Sequence, residues 1–177
     1  MSGHNKWSQI KHAKEITDGK RSKVFGKMAK LIALESKKAL GNLSSPTLRA
    51  VIERARKENM PVDNIDRAVK KGAGGDAGEM EAVLYEAYGP GGCAMLIEEL
   101  TDNKNRSVAE IKHTLSKHNL TLAGQGAALW AFMKNEEGFV PQVMITLSEA
   151  DNESLTLLLK ELDENDDVQD VWTNAEH

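Results

Sequence analysis

The sequence contains one cysteine, Cys93, so no disulfide can form within it and packing must hold the fold together. A lone thiol agrees with a reducing compartment. The sequence also lacks any apolar run of the roughly 18 residues that cross a membrane, and its first residues lack the apolar core of a signal peptide. From these absences we expect a cytoplasmic protein that does not contact a membrane.

The common catalytic patterns are missing as well. The sequence has no nucleophile elbow and no paired-cysteine motif, and His113 and His118 are five residues apart, whereas two imidazoles on one helix face need a spacing of four. An acidic group follows residue 162, but it lacks the alternating ligands and the central glycine of a calcium loop, so we interpret it as a solvated turn. We therefore expect no enzymatic activity, no metal and no cofactor. The acidic group consists of Asp163, Glu164, Asp166 and Asp167.

Acidic residues are scarce in the first part of the chain, where the basic residues concentrate. Residues 1–71 contain 17 Lys or Arg against 7 Asp or Glu, while residues 72–177 contain 6 against 20. A separation this large indicates that the first segment attracts a phosphate backbone and that the second repels it. We interpret it as a sign of nucleic-acid binding, the alternative being two ordinary solvated surfaces.

Three helices are predicted within the basic segment. A first helix begins at Asp18, where apolar residues start to recur at steps of three and four, and Gly41 is placed to end it in the left-handed conformation. Ser45 and Pro46 have the form of a cap and a first-turn proline for a second helix. A third helix begins near Pro61. The segment is therefore predicted to be a small three-helix lobe.

The lysines of the first helix repeat with a helical spacing. Lys20 and Lys27 are two turns apart, as are Lys23 and Lys30, so these ammonium groups are predicted to line the face opposite the apolar stripe. A helix of about 20 residues is roughly 30 Å long. Such a face could contact phosphates along its whole length.

A DNA-reading helix-turn-helix is not favoured. Its recognition helix would read bases with its N-terminal residues, which here are Asp63, Asn64 and Asp66, and the two carboxylates would face the phosphates. Positive charge on the first helix suits contact with a backbone or a shaped RNA better than sequence reading.

Residues 1–17 precede any strong helical period, and we expect them to be a mobile arm until they dock. Within the arm, Trp7 either packs onto the helices or stacks on a base.

After a glycine-rich linker at residues 72–81, the remainder of the chain is predicted to be an α+β lobe. Ser107 and Glu110 match a capping box for a helix. The order of strands and helices suggests helices packed on one face of a mainly antiparallel sheet. Strands are predicted at residues 82–88, 93–100, 128–133, 142–147 and 168–172, and a leucine-rich helix at residues 154–162.

Several motifs together resemble the YebC/PmpR family. In chain order they are GHNKWSQIK, DGKRSKVFGK, NMPVDNIDRAVKKG, YEAYGPGG, TDNKNRSVAEIKHTLSKH and DDVQDVW. Members of this family usually have a further small α/β lobe inserted in the second one, whereas here FMKNEEG is followed directly by FVPQVMITL. The resemblance therefore implies a short form that lacks the inserted lobe near residues 138–141.

The resemblance implies a non-enzymatic regulator of gene expression, which we expect to be a monomer. It is either a translation factor that contacts ribosomal RNA on the ribosome or a DNA-binding transcriptional regulator, with a protein-interaction adaptor as a third alternative. A lesser phosphate site is implied at a helix start by Asn103, Asn105 and Arg106, where a well-capped helix is the alternative. By motif position, the implied nucleic-acid contacts are Lys6, Trp7, Lys11, Lys14, Lys20, Arg21, Lys23 and Lys27, to which the lysine spacing adds Lys30.

Overall fold

The structure is a computed structural model and describes residues 18–75, 80–135 and 138–176. The chain divides into two compact units, the first within Ile16–Glu81 and the second containing Ala82–His177. We call them the helical unit and the α+β unit.

The helical unit contains α1 (Asp18–Lys38), α2 (Pro46–Lys57) and α3 (Val62–Ala73). As predicted, Ser45 caps the start of α2 and Pro46 occupies its first turn, although the Ser45 hydroxyl lies 3.1 Å from that of Thr47 and not on a backbone N–H. Gly41 follows α1 with a φ of +76°. All three helices bury one apolar face in a common core, whose buried members are Met28, Ile32, Leu48, Ile52, Ala55, Met60, Ile65 and Ala68.

Helices α1 and α3 approach each other closely at Gly72. A Cβ atom at this position would lie 2.3 Å from the carbonyl oxygen of Ala33 and 2.7 Å from the Cβ of Ser36. The Ser36 hydroxyl donates a hydrogen bond of 2.7 Å to the carbonyl oxygen of Val69 across the same contact. A residue without a side chain is therefore needed here for the two helices to pack at this distance.

The α+β unit confirms the predicted α+β fold. Its main sheet has the strand order β1–β2–β5, with β2 and β5 antiparallel, and β3 and β4 form a separate antiparallel hairpin. The elements are β1 (Glu81–Tyr88), β2 (Ala94–Thr101), α4 (Lys104–Lys117), β3 (Phe132–Asn135), β4 (Gly138–Pro141), α5 (Glu149–Glu164) and β5 (Val168–Thr173).

Strand β2 is buried on both faces of the sheet. Because side chains alternate along a strand, neighbouring residues of β2 enter two different cores. Met95 and Ile97 share a core with residues of α4 and α5, whereas Ala94 and Leu96 share one with the β3–β4 hairpin. On the hairpin side, the rings of Phe139 and Trp172 meet edge to face with centroids 5.0 Å apart. The two helices cover one face of the sheet, as predicted, and the hairpin covers the other.

Three local predictions for this unit are wrong. Residues 128–133 are not a continuous strand, because a 3-10 turn at Leu129–Ala131 precedes β3. Residues 142–147 contribute only an isolated bridge between Ile145 and Ala175, since the strand that pairs with β3 has already ended at Pro141. The cap of α4 is Asn103, and Ser107 lies inside the helix with its hydroxyl directed at Glu99.

Candidate nucleic-acid interface

The predicted lysine face of α1 is only partly on the surface. Arg21 is exposed, Lys23 and Lys30 are half-buried, and Lys27 is 6% exposed. The prediction that Lys27 lies opposite the apolar stripe is therefore wrong. Lys27 follows Val24 by three residues, so both lie on the same side of the helix, and Val24 packs against the helical core.

Four predicted contacts, Lys6, Trp7, Lys11 and Lys14, lie outside the described residues, as does the side chain of Lys20. Their role in binding stays a prediction.

A groove runs between α1 and α3 on the helical unit. Its volume is about 470 Å³, and Lys30 is the predicted contact residue that lines it. We call it the interhelical groove. Its apolar lining residues are Phe25, Gly26, Ala29, Ala33, Met60, Ala68 and Met80, and its polar lining residues are Ser22, Lys30, Asn64, Arg67 and Lys71.

The polar residues that line the interhelical groove include three cations. Lys30 lies on α1, and Arg67 and Lys71 lie one turn apart on α3, while no carboxylate is among the lining residues that the structure describes. Arg67 is oriented by α3 itself, since its Nη2 donates to Oδ1 of Asn64 over 2.7 Å and its Nε donates to the carbonyl oxygen of Asp63 over 3.4 Å. An anion at the groove would therefore meet positive charge from two helices.

Sequence reasoning missed Arg67 and Lys71 because the acids at the start of α3 argued against a base-reading helix. That argument concerned the N-terminal end of α3, whereas the interhelical groove is lined by residues on the side of this helix. The usable signal is the spacing, since Asn64, Arg67 and Lys71 recur at steps of three and four and so share one face.

At the start of α4, the structure shows a well-capped helix. Oδ1 of Asn103 accepts a hydrogen bond of 3.0 Å from the Arg106 N–H. The Arg106 guanidinium contacts carboxylates of its own chain, with Nη2 at 2.9 Å from Asp102 and 2.8 Å from Asp167. Hydrogen bonds to Asp167 and Asp102 raise the pKa of Arg106. Asn105 is exposed beside them. A phosphate contact at Asn103, Asn105 and Arg106 stays a prediction.

The acidic turn before β5 is not wholly solvated, contrary to our interpretation. Asp167 is only 5% exposed, and its Oδ2 accepts a hydrogen bond of 2.9 Å from the Thr101 hydroxyl in addition to the one from Arg106. Within the turn, the Asp167 N–H donates to Asn165 Oδ1 over 2.8 Å. The Leu100 N–H of β2 donates to the Asp167 carbonyl oxygen over 2.8 Å and holds the turn against the end of this strand.

A second carboxyl group, Glu99, is completely buried in the same region. It accepts a hydrogen bond from the Ser107 hydroxyl, which lies 2.8 Å from the Tyr85 hydroxyl, while Oε1 of Glu99 has no hydrogen-bond partner among the described residues. Burial raises the pKa of Glu99 to about 7, the charges of Asp167 and Glu110 add to the rise, and Ser107 and Arg106 oppose it. This group titrates near neutral pH.

Within residues 18–75, 80–135 and 138–176, no three His, Cys, Asp or Glu side chains come together as metal ligands would. No helix in these ranges is long and apolar enough to cross a membrane.

Comparison with known proteins places the chain in a family. The family model described as the TACO1/YebC protein N-terminal domain matches residues 5–75, and the one described as the TACO1/YebC second and third domain matches residues 80–137. The chain belongs to the TACO1/YebC family. Much of the helical unit, including every lining residue of the interhelical groove except Met80, therefore lies in the N-terminal domain of that family.

Curated relatives within the TACO1/YebC family are named probable transcriptional regulatory proteins. One from Desulfosudis oleivorans is 45% identical over 181 residues, covering 99% of this chain and 72% of the relative. One from Fervidobacterium nodosum is 50% identical over 134 residues, but the match covers only 53% of that protein. One from Syntrophus aciditrophicus is 37% identical over 237 aligned positions, covering 98% of this chain and 95% of the relative.

A solved structure has the same fold. The crystal structure of a conserved hypothetical protein from Aquifex aeolicus superposes with a TM-score of 0.84 at 29% sequence identity, covering 97% of this chain and 96% of that one. The arrangement of helices and strands described above is thus shared with a second, sequence-divergent chain.

Proposed function

We propose that this chain is a non-enzymatic regulator of gene expression that binds nucleic acid through its helical unit. The observation that carries the proposal is the charge separation, since residues 1–71 have 17 basic and 7 acidic residues and residues 72–177 have 6 and 20. The helical unit ends at Glu81, ten residues after this change in charge. A phosphate backbone would be attracted to one unit and repelled by the other. The names of the curated relatives agree with a regulatory role.

The first choice of target is RNA on the ribosome. Support comes from where the helical unit presents its cations, which is along the sides of all three helices, with Lys30, Arg67 and Lys71 around the interhelical groove. The N-terminal end of α3 instead presents Asp63 and Asp66, both exposed, so it is unsuited to reading bases in a major groove. Contacts from helix sides position a protein on a backbone or a shaped RNA.

A transcriptional regulator on duplex DNA is the second candidate. The names of the curated relatives favour it, since each of the three is called a probable transcriptional regulatory protein.

We also propose that the lobe usually inserted in this family is absent from the β3–β4 hairpin. The alignment with the Syntrophus protein has 237 positions although this chain has 177 residues, so that relative has a segment without a counterpart here. The second family match ends at residue 137, immediately before β4.

The experiment compares two charge-reversal variants with the same change in net charge. The first replaces Arg21, Lys23 and Lys37 of α1 with glutamate and leaves the groove cations unchanged. The control replaces Lys112, Lys134 and Lys160 of the α+β unit, all exposed, with glutamate. Circular dichroism checks that both variants keep their helix content, and cosedimentation with ribosomes and binding to duplex DNA are then measured over a range of salt concentrations.

We expect the α1 variant to lose cosedimentation with ribosomes and the control variant to keep it. If the wild type neutralises about five phosphates on duplex DNA, log K should fall with log salt with a slope of roughly −4 to −5, and less steeply on single strands. Selective binding to promoter fragments over competitor duplex at physiological salt, without ribosome association, would establish the DNA alternative. Salt-independent binding to a protein partner alone would overturn both in favour of an adaptor.

A further inference from the structure

The interhelical groove has the size and lining of a site for a flat ring. Its volume of about 470 Å³ lies within the range of roughly 300 to 1,000 Å³ that is usual for small-molecule sites. Most of its lining residues are apolar and include Phe25, and its polar lining residues come from both α1 and α3. Unpaired bases of RNA are commonly bound on apolar and aromatic side chains of this kind.

We propose that the interhelical groove holds one unpaired base of a bound RNA, while Lys30, Arg67 and Lys71 contact the phosphates on either side of it. The inference rests on the proposed function and adds to it the kind of RNA that is bound, namely a single-stranded or looped segment and not a continuous duplex.

The charges support this arrangement. Lys71 is exposed on α3 one turn after Arg67, which is also exposed, so the two can meet successive phosphates. Lys30 approaches the groove from the other helix. No described lining residue carries a negative charge, so a polyanion can pass along the groove without repulsion from its walls.

Asn64 offers hydrogen-bonding groups that a base edge can use. Its side-chain amide can donate and accept hydrogen bonds, and its Oδ1 already accepts from Arg67 over 2.7 Å. A base edge offers both donors and acceptors, whereas a peptide carboxylate offers acceptors only. The N–H groups and the remaining acceptor capacity of this amide can therefore both pair with a base edge.

Gly26 gives a way to fill the groove without changing its charges. It lines the groove, and a Cβ at this position would meet no atom within 4 Å, so a leucine has open space to enter. Gly19 is a matched control, because it lies on the same helix, also has no atom within 4 Å of a Cβ, and does not line the groove. Both substitutions replace a poor helix former with a good one and should not reduce the stability of α1.

The experiment uses the full chain with Gly26→Leu or Gly19→Leu, and three fluorescent probes of equal length. The probes are a single-stranded oligouridylate, its abasic counterpart with the same phosphates, and a blunt RNA duplex. We expect Gly26→Leu to weaken binding of the oligouridylate about tenfold, which is the usual size of one lost base-stacking contact. Binding of the abasic strand and of the duplex should change less than about twofold, and Gly19→Leu should match the wild type on every probe.

Equal affinities of wild type and Gly26→Leu for the oligouridylate would overturn the base site while leaving nucleic-acid binding in place. An equal loss on the abasic strand would overturn it as well, because the effect would then not depend on a base. An acidic amphipathic peptide serves as a fourth probe. If Gly26→Leu abolished binding of this peptide and left binding of all RNA probes unchanged, the groove would be assigned to a peptide and the proposal would be overturned. Failure of the wild type to bind any of the three RNA probes would overturn both the base site and RNA as the target, and would leave duplex DNA as the candidate to be tested.

Discussion

Arg106 donates a hydrogen bond of 2.8 Å to Asp167, and this ion pair ties the first turn of α4 to the turn that leads into β5. The two residues are unequal, since the side chain of Arg106 is 46% exposed and that of Asp167 only 7%. The exposed Arg106 guanidinium therefore neutralises the buried Asp167 carboxylate. Without Arg106, the buried Asp167 carboxylate would lose this ion pair, while its hydrogen bond from the Thr101 hydroxyl would remain.

We expect Arg106→Ala to lower the Tm more than Lys112→Ala, a change of one exposed cation on the same helix. The physical reason is that a buried carboxylate left without its cation is destabilising, whereas an exposed lysine contributes little. Thermal unfolding measures both variants. Equal Tm values would contradict a structural role for the pair.

The same variant tests the phosphate contact that the family resemblance implies for Arg106. If Arg106 held a phosphate, Arg106→Ala would reduce the slope of log K against log salt by about one. Given its three carboxylate neighbours, we expect the slope for RNA to stay as in the wild type. A reduced slope would show that the arginine leaves its own chain to bind the nucleic acid.

Glu99 should make the stability of the α+β unit depend on pH near neutrality. Burial raises its pKa from 4.5 to about 7, so between these values the folded protein keeps a proton that the unfolded chain releases. The contribution of this proton to the free energy of unfolding is complete below pH 4.5 and is lost as the pH rises through 7. By linkage it is on the order of 3 kcal/mol at most.

A neutral side chain at this position removes that titration. We expect the stability of Glu99→Gln relative to the wild type to increase between pH 5 and pH 8, whatever its value at pH 5. Glu153→Gln, an exposed change on α5, should show no such trend. Denaturant unfolding across this pH range is the measurement, and parallel curves for wild type and Glu99→Gln would show that Glu99 does not titrate there.

The features that sequence reasoning predicted correctly depend on neighbouring residues. The start of α2 could be predicted because Ser45 and Pro46 are residue types that favour a helix start. The end of α1 could be predicted because glycine is favoured where the backbone has a positive φ, as it has at Gly41. The α+β fold followed from the order of strands and helices. These signals are local, so no knowledge of the packing was required.

The features that were missed depend on residues far apart in the chain. Asp167 looks solvated in sequence, and its burial follows only from contacts with Thr101 and Arg106, more than sixty residues away. The interhelical groove is lined mainly by α1 and α3, so the sequence of either helix alone contains only part of its lining residues. The burial of Lys27 likewise depends on where the edge of the apolar stripe falls in three dimensions.

Glu86 on β1 fixes the loop before β3, and its removal should loosen that loop. Its carboxylate accepts backbone hydrogen bonds from Gly126 at 2.6 Å, Ala128 at 2.7 Å and Leu129 at 2.8 Å. We expect Glu86→Gln to cost about 2 kcal/mol, because an amide cannot accept at both of its terminal atoms. Amide hydrogen exchange should speed up at these three residues, and unchanged exchange would show that the loop is held by other contacts.

The pH dependence of Glu86 has the opposite sign to that of Glu99. Burial pushes its pKa up, but the three backbone hydrogen bonds together outweigh burial and lower the pKa below 4.5. Its contribution is therefore present at neutral pH and is lost as the pH falls through the folded-state pKa. The stability difference between wild type and Glu86→Gln should shrink in acid, and a difference that is constant from pH 7 to pH 3 would contradict this.

Gly72 and Gly26 form a matched pair for the packing of α1 against α3. Both are helical glycines in the helical unit, but a Cβ at Gly72 would lie 2.3 Å from the Ala33 carbonyl oxygen, whereas a Cβ at Gly26 would meet nothing within 4 Å. We expect Gly72→Ala to destabilise the helical unit by about 1 to 3 kcal/mol, because the obstacle is backbone and the helices must separate.

The same substitution at Gly26 should instead stabilise the protein by up to about 1 kcal/mol, since alanine is the better helix former and nothing opposes its methyl group. Denaturant unfolding of the two variants beside the wild type measures the contrast. If α1 and α3 approach each other this closely at Gly72, the free energy of unfolding falls in Gly72→Ala and rises in Gly26→Ala, although both variants add the same methyl group. Two stabilising changes would mean that α3 can shift away from Ala33 at little cost, and the hydrogen bond from Ser36 to Val69 would then have to lengthen in the Gly72→Ala variant.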